Sequence, residues 1–319
     1  MAARTRYAPD RGLTVRMGVT IFLLGLVFVA FVAAIIAIGT AYHASTAGIA
    51  LITIILAGGF AFGSLFWSDK IALATAGARE VSPSESKEAA RLHGIVDRLC
   101  ALADMPKPRV AIADTDVPNA FATGRNADHA VVCATRGLLN RLDNDELEGV
   151  LAHEMSHVAH KDVTVMTVAS FLAIIAALLV RIAFYGELFG GGRRDNNQNA
   201  LPIWLVLIAV AAVTYAVSFV LIRLLSRYRE LSADRSGALL TGQPSALKSA
   251  LVKVTTQIGR IPTKDLRTAQ PLNQFFFAPA MHLSGGGSGK LAELFSTHPS
   301  LERRLAELDK VQQQLSRGR

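Results

Sequence analysis

Charge is scarce in this sequence. Asp, Glu, Lys and Arg make up 18% of its 319 residues, against about 25% in an ordinary soluble domain, and the mean hydropathy is +0.35. This composition argues against a wholly soluble chain. It excludes intrinsic disorder, which needs low hydrophobicity and high net charge. Cysteine is scarcer still: Cys100 and Cys133 form no CxxC, which excludes a disulfide framework and fits a reducing compartment for the polar part. Phosphate-binding loops are missing too. The runs Gly190-Gly191-Gly192 and Gly285-Gly286-Gly287-Ser288-Gly289 lack the Lys-Ser/Thr ending of a P-loop and read as flexible loops. A net charge of +8 admits either nucleic acid or a membrane surface as partner. The distribution of the basic residues favours the membrane and argues against nucleic acid.

Long uncharged runs are what the sequence has instead. Crossing about 30 Å of hydrocarbon takes roughly 20 apolar residues in a helix. Met17–Tyr42, Gly48–Ser68 and Leu201–Ile222 contain no charged residue, and Val163–Tyr185 contains only Arg181, near its end, where a long side chain can snorkel. A buried core helix keeps a polar stripe; these runs have none, and four transmembrane helices are expected. The first run is too long for the apolar region of a signal peptide and reads as a retained anchor. Arg4, Arg6, Arg11 and Arg16 precede it, whereas the connection at 43–47 holds no Lys or Arg, so the N-terminus is expected in the cytoplasm. Arg193 and Arg194, in the loop assigned outside, run against the rule locally.

The chain then divides into a basic arm (1–16), a pair of spans (17–68), a cytoplasmic segment (69–162), a membrane hairpin (163–222) and a second cytoplasmic segment (223–319). The two polar segments together are large enough for one core. Helices are expected over Ser84–Ala103, Asp143–His160, Arg223–Leu240 and Ser300–Leu315, with Asp143 or Asn144 as a cap. Arg109–Ala113 and Ala130–Ala134 read as short strands, separated by the turn-prone Asn119–Asp128. The fold is therefore expected to be mainly α with a short sheet.

Chemistry enters at His153-Glu154-Met155-Ser156-His157. Positions i and i+4 share a helix face, so two imidazoles can bind one Zn²⁺ while Glu154 stands beside the activated water as general base. This composition yields about 0.007 chance occurrences of such a motif. A catalytic zinc takes three protein ligands and keeps one position open. The HExxHxxGxxH continuation is absent, with His160 and Val163 at the corresponding positions. His160 shares the face but lies two turns from His153, so it reads as a surface or supporting histidine. Glu230 and Asp234, again i and i+4, fit better. The first would bind the metal and the second would orient a ligand histidine through its other ring nitrogen. Two spans separate the motifs, returning them to the same side as a shared metal requires.

With Pro118–Gly124 upstream and Ser296-Thr297-His298-Pro299 downstream, the chain resembles the HtpX-type membrane zinc metalloproteases, relatives of the CAAX prenyl endopeptidases. The resemblance runs over nearly the whole chain. It implies a zincin-like (gluzincin) α+β protease domain holding one Zn²⁺ on His153, His157 and Glu230, with Glu154 as base and Asp234 behind a histidine. The family's HP…R pattern falls on His298 and Arg304; Ser300-Leu301, where relatives often carry a second proline, is a departure. His298 is a candidate oxyanion donor. Asn119, Ala120 and Phe121, with the strand Ala130–Ala134, are candidates to receive an extended substrate. The run Phe275–Phe277 reads as core packing rather than as a contact to substrate or lipid. The implied activity is endoproteolysis of misfolded or damaged membrane proteins in an inner or plasma membrane. The alternatives are a CAAX-type processing enzyme, which would carry more spans, and a non-enzymatic zinc scaffold, for which Glu154 would have no use.

Overall fold

A computed structural model describes residues 11–41, 65–189, 203–258 and 298–317, with single positions between 55 and 63. Most of the second apolar run, both glycine-rich runs and Phe275–Phe277 lie outside the described residues. The chain forms two units. One contains Leu65–Thr164 and Ser226–Arg319, the other Val15–Ser64 and Val165–Leu225.

The first unit is built on a four-stranded sheet of β1 (Ala78–Glu80), β2 (Arg109–Ala113), β3 (Ala120–Thr123) and β4 (Val131–Thr135), in the order β1-β2-β4-β3. β2 and β4 run parallel; the two outer strands pair antiparallel. Alternate residues point to opposite faces. Val110, Ile112, Ala120, Val132 and Ala134 join the main core. Ala111, Ala113, Phe121, Val131 and Cys133 pack on the other face with Ala72, which belongs to α2 (Ser68–Ala76). Both faces of the central pair are covered, so β2 after Arg109 and β4 up to Thr135 read as apolar runs. The third strand lies where a turn was expected. Ala120–Thr123 is too short to signal itself between Asn119 and Gly124, and the turn proper starts at Gly124. There φ is +149° and a Cβ would stand 2.5 Å from the His129 carbonyl oxygen, so only glycine fits.

Helices α3 (Lys87–Ala103) and α5 (Asn144–Ala159) follow the expected periodicity, and a short α4 (Arg136–Leu139), not expected, lies between them. Ser86 caps α3 by accepting from the Ala89 N–H. Asp143 and Glu146 close a reciprocal capping box at the start of α5, which fixes where the HExxH helix begins. Leu92, Val96 and Leu99 of α3 meet Leu147, Leu151 and Met155 of α5. Against these pack α8 (Pro244–Ile258), through Leu247 and Leu251, and α9 (Leu301–Arg317), through Leu308 and Val311.

In the second unit α1 (Arg11–Ala41) contributes Phe31 and Ile35 to a cluster with Ile175 and Ala211. The last two belong to α6 (Asp162–Phe189) and α7 (Ile203–Thr241). Phe22, Leu26 and Val29 of α1 and Val213 and Val220 of α7 are exposed, as lipid-facing side chains are. Among the described residues two helices, Thr14–Ile35 and Leu205–Thr241, are long and apolar enough to cross a membrane, or three if α5 and the described part of α6 form one bent span. The expected count of four is not reached among them. The fourth run and the helix expected from Arg223 are one structure: α7 continues for 39 residues, about 58 Å at 1.5 Å per residue. Composition changes at Arg223, but the backbone does not.

Candidate metal centre

Helix α5 carries His153 and His157 one turn apart, their rings edge-on with centroids 5.0 Å apart. Helix α7 faces them with Glu230, Asp234 and Gly237. The spacing i, i+4, i+7 places these three on one stripe. Glycine is needed at the last of them, because a Cβ on Gly237 would lie 2.8 Å from the His153 amide nitrogen. The two helices touch backbone to backbone there, which brings the Glu230 carboxylate between the imidazoles. Its Oε2 is 3.6 Å from His153 Nε2 and its Oε1 is 3.5 Å from His157 Nε2.

His153, His157 and Glu230 are buried, and one ligand atom of each lies within 4.8 Å of the others. Ligands about 2.1 Å from a tetrahedral zinc stand about 3.4 Å apart, close to the two separations above. Two imidazoles and a carboxylate also match the donor set of a catalytic zinc. These residues fit the metal. His160 does not join them: it is the C-cap of α5, where the helix ends.

Each of the three is held from behind. His153 Nδ1 lies 2.9 Å from Asp234 Oδ1, and Arg304 grips the same carboxylate with Nε donating to Oδ2 at 2.8 Å and Nη2 to Oδ1 at 2.6 Å. Arg304 is 1% exposed, so this is a buried bidentate pair. Burial opposes ionisation of Asp234, but the Arg304 charge outweighs it and holds the carboxyl below its ordinary range. His157 Nδ1 donates to Asp162 Oδ2 at 2.6 Å, and Arg229 Nε stands 2.9 Å from that oxygen. Glu230 in turn accepts from His298 Nδ1 at 3.0 Å. Burial works against its charge as well, yet His298 and His153 keep its carboxyl well below the usual range. With protons on both Nδ1 atoms, the Nε2 lone pairs of His153 and His157 are left for a metal.

Glu154 is buried beside this cluster, and its Oε2 accepts from the Ala122 amide at 3.3 Å. Burial pushes its carboxyl pKa up, the direction a proton-accepting group needs. Ala122 lies on β3, an outer strand of the sheet. Asn119 accepts from the Thr135 N–H through its carbonyl, so the main-chain groups of Asn119, Phe121 and Thr123 turn toward β4. Those of Ala120 and Ala122 turn to the outer edge, which no strand among the described residues pairs. The Phe121 side chain is in the core on the far face of the sheet.

The structure thus brings together His153, Glu154, His157, Glu230, Asp234, His298 and Arg304, as the motifs suggested. It places His298 on Glu230 rather than leaving its Nδ1 proton for an oxyanion. Of Asn119, Ala120 and Phe121, only Ala120 turns its main chain to the outer edge, and Ala122 joins it. Asp162, Arg229 and Gly237 were not singled out from the sequence.

A profile of Peptidase family M48 matches residues 86–312. The chain is 58% identical over 313 residues to Protease HtpX homolog 1 of Streptomyces coelicolor, covering 98% of this chain and 97% of that protein. It is 48% identical over 318 residues to Protease HtpX homolog of Moorella thermoacetica, covering 99% and 100%. To Protease HtpX homolog of Pyrococcus furiosus it is 39% identical over 304 residues, covering 94% and 96%. Among solved structures it is similar to the crystal structure of S. mikatae Ste24p. The TM-score is 0.52 at 17% identity, over 94% of this chain and 67% of that one, a likeness of fold. By its family match and by relatives aligned almost end to end, the chain belongs to peptidase family M48 and is an HtpX-like metalloprotease.

Proposed function

We propose that this metalloprotease is a one-zinc endopeptidase of the inner or plasma membrane. Its substrates are cytoplasmic segments of misfolded or damaged membrane proteins. The observation that carries the reading is a buried His153–His157–Glu230 cluster beside a Glu154 carboxylate hydrogen-bonded to an outer strand edge. When bound, Zn²⁺ would polarise the scissile carbonyl and make water acidic near neutral pH.

The chain's own residues do the rest. Main-chain groups of Ala120 and Ala122 receive the substrate as an added strand. Glu154 takes the proton of the attacking water and returns it to the leaving amine. Asp234 and Arg304 hold His153 in register. His298 holds Glu230; in the neutral ring its Nε2 is an acceptor, so acting on an oxyanion requires the imidazolium.

The membrane arrangement belongs to the same reading. Residues 1–16 form a cytoplasmic arm, 17–68 and 163–222 cross the bilayer as four helices, and 69–162 and 223–319 build the protease on the cytoplasmic side. The grouping of Leu65–Thr164 with Ser226–Arg319 in one unit supports this, as does the basic N-terminal arm. A zinc-holding scaffold would have no use for Glu154. The test is the full chain in detergent on unfolded casein: Glu154→Gln should keep its zinc and lose cleavage and self-cleavage. Equal cleavage by wild type and variant would remove Glu154 from the mechanism. Tags that placed residue 153 and residue 230 on opposite sides of the membrane would overturn the whole assignment.

A further inference from the structure

The two ligand histidines are treated alike. Each gives its Nδ1 side to a buried carboxylate, and each carboxylate meets an arginine: Asp234 with Arg304 behind His153, Asp162 with Arg229 behind His157. The ExxxD spacing points to the first pair. The second has no helical spacing, since Asp162 lies five positions after His157 and a continuous helix would turn them about 140° apart.

What joins them is a break. After the C-cap at His160 the chain passes through Lys161 at φ +56°, a left-handed conformation that costs a non-glycine residue about 1–2 kcal/mol. Asp162 then starts α6 with its side chain turned back to the His157 ring. Arg229 reaches the same carboxylate from α7, one residue before Glu230. Asp162 is 4% exposed at the side chain and Arg229 13%, so neither contact is a solvated surface pair of small worth. Burial works against the Asp162 charge, but Arg229 and the His157 hydrogen bond hold its carboxyl below the ordinary range.

We propose that Asp162 and Arg229 are positioning residues for His157, fixing its tautomer and ring so that Nε2 presents a lone pair to the metal. The inference rests on the zinc reading above. It assigns to the left-handed turn at Lys161 the task of delivering Asp162.

The test measures zinc affinity by chelator competition, and the visible absorption of the Co²⁺-substituted protein, on the full chain in detergent. Removing such a partner of a ligand histidine costs about 10–100-fold in metal affinity. Asp162→Ala should lose that much and shift the cobalt bands. Asp162→Asn, which keeps an acceptor oxygen and the same shape, should recover part of both. Arg229→Ala should lose less, and Asp162→Ala with Arg229→Ala should be no worse than Asp162→Ala alone. Wild-type affinity and unchanged cobalt bands in Asp162→Ala, or in Asp162→Asn should the alanine variant fail to fold, would overturn the proposal. Glu230→Ala separates this from the parent reading: if it too kept full zinc affinity, the assignment of the metal site itself would fall.

Discussion

Substituting Gly237 by alanine puts the α5–α7 contact to a quantitative test. The new Cβ would stand 2.8 Å from the His153 nitrogen, 3.1 Å from the Ala152 carbonyl carbon and 3.1 Å from His153 Cα. All three are backbone atoms of a helix and cannot swing away. Ordinary contact begins near 3.5 Å, so α7 must withdraw locally by about 0.7 Å. Asp234, 2.9 Å from His153 Nδ1, would then stand about 3.6 Å away, outside hydrogen-bond range. Glu230 would recede from both imidazoles. Overpacking of this kind costs about 1–3 kcal/mol, offset by up to about 1 kcal/mol gained when a helical glycine becomes alanine. A misplacement of such size costs about 100-fold in rate. The assay is casein cleavage and zinc competition, with thermal unfolding alongside. Gly94→Ala is the control: Gly94 lies inside α3 with nothing within 4 Å of its would-be Cβ, and should gain about 0.5–1 kcal/mol in stability with activity unchanged. If Gly237→Ala matched this control in stability, zinc affinity and cleavage, the helix separation would not be set at that contact.

Three further outcomes follow from burial and pairing. Arg304→Met leaves Asp234 as a buried carboxylate without its main counter-charge, and should destabilise the protein by about 3–5 kcal/mol in denaturant titration; a change under 1 kcal/mol would refute the buried pair. Phe121→Ala should act as a core cavity costing about 3–5 kcal/mol, visible as a lower unfolding temperature, whereas raised KM at unchanged stability would return Phe121 to substrate contact. Burial pushes the Cys133 thiol up to about 12 and the Cys100 thiol to about 11. At pH 8 the Cys133 thiolate fraction is then about 10⁻⁴, against about a quarter for a free thiol of pKa near 8.5. Iodoacetamide should label Cys133 only after unfolding, and rapid labelling of the native protein would contradict its placement.

The His153–His157–Glu230 cluster was legible because helical periodicity writes it in the sequence. His153 and His157, and then Glu230 and Asp234, repeat at i and i+4, and both pairs fall in one compact unit of the structure. Asp162 was not legible, since its approach to His157 depends on the dihedral of Lys161 rather than on any face of a helix. Gly237 was hidden for another reason: a lone glycine in a helical pattern signals nothing until the opposing backbone is known. β3 was masked by its neighbours, as four residues between Asn119 and Gly124 carry too little alternation to outweigh the turn formers. Helix α7 was cut in two by reading a change of composition as a change of conformation. Hydrogen bonding along the backbone continues regardless of whether lipid or protein surrounds it.

The bond between the Ala122 amide and Glu154 bears on how the proposed base would be used. A single N–H cannot serve two acceptors at full strength, and a peptide added along the outer side of β3, as proposed, would bring a carbonyl to compete for it. On the proposed mechanism, arrival of the chain to be cut would loosen the carboxylate that is to accept the proton, so that docking and release of the base would be one event.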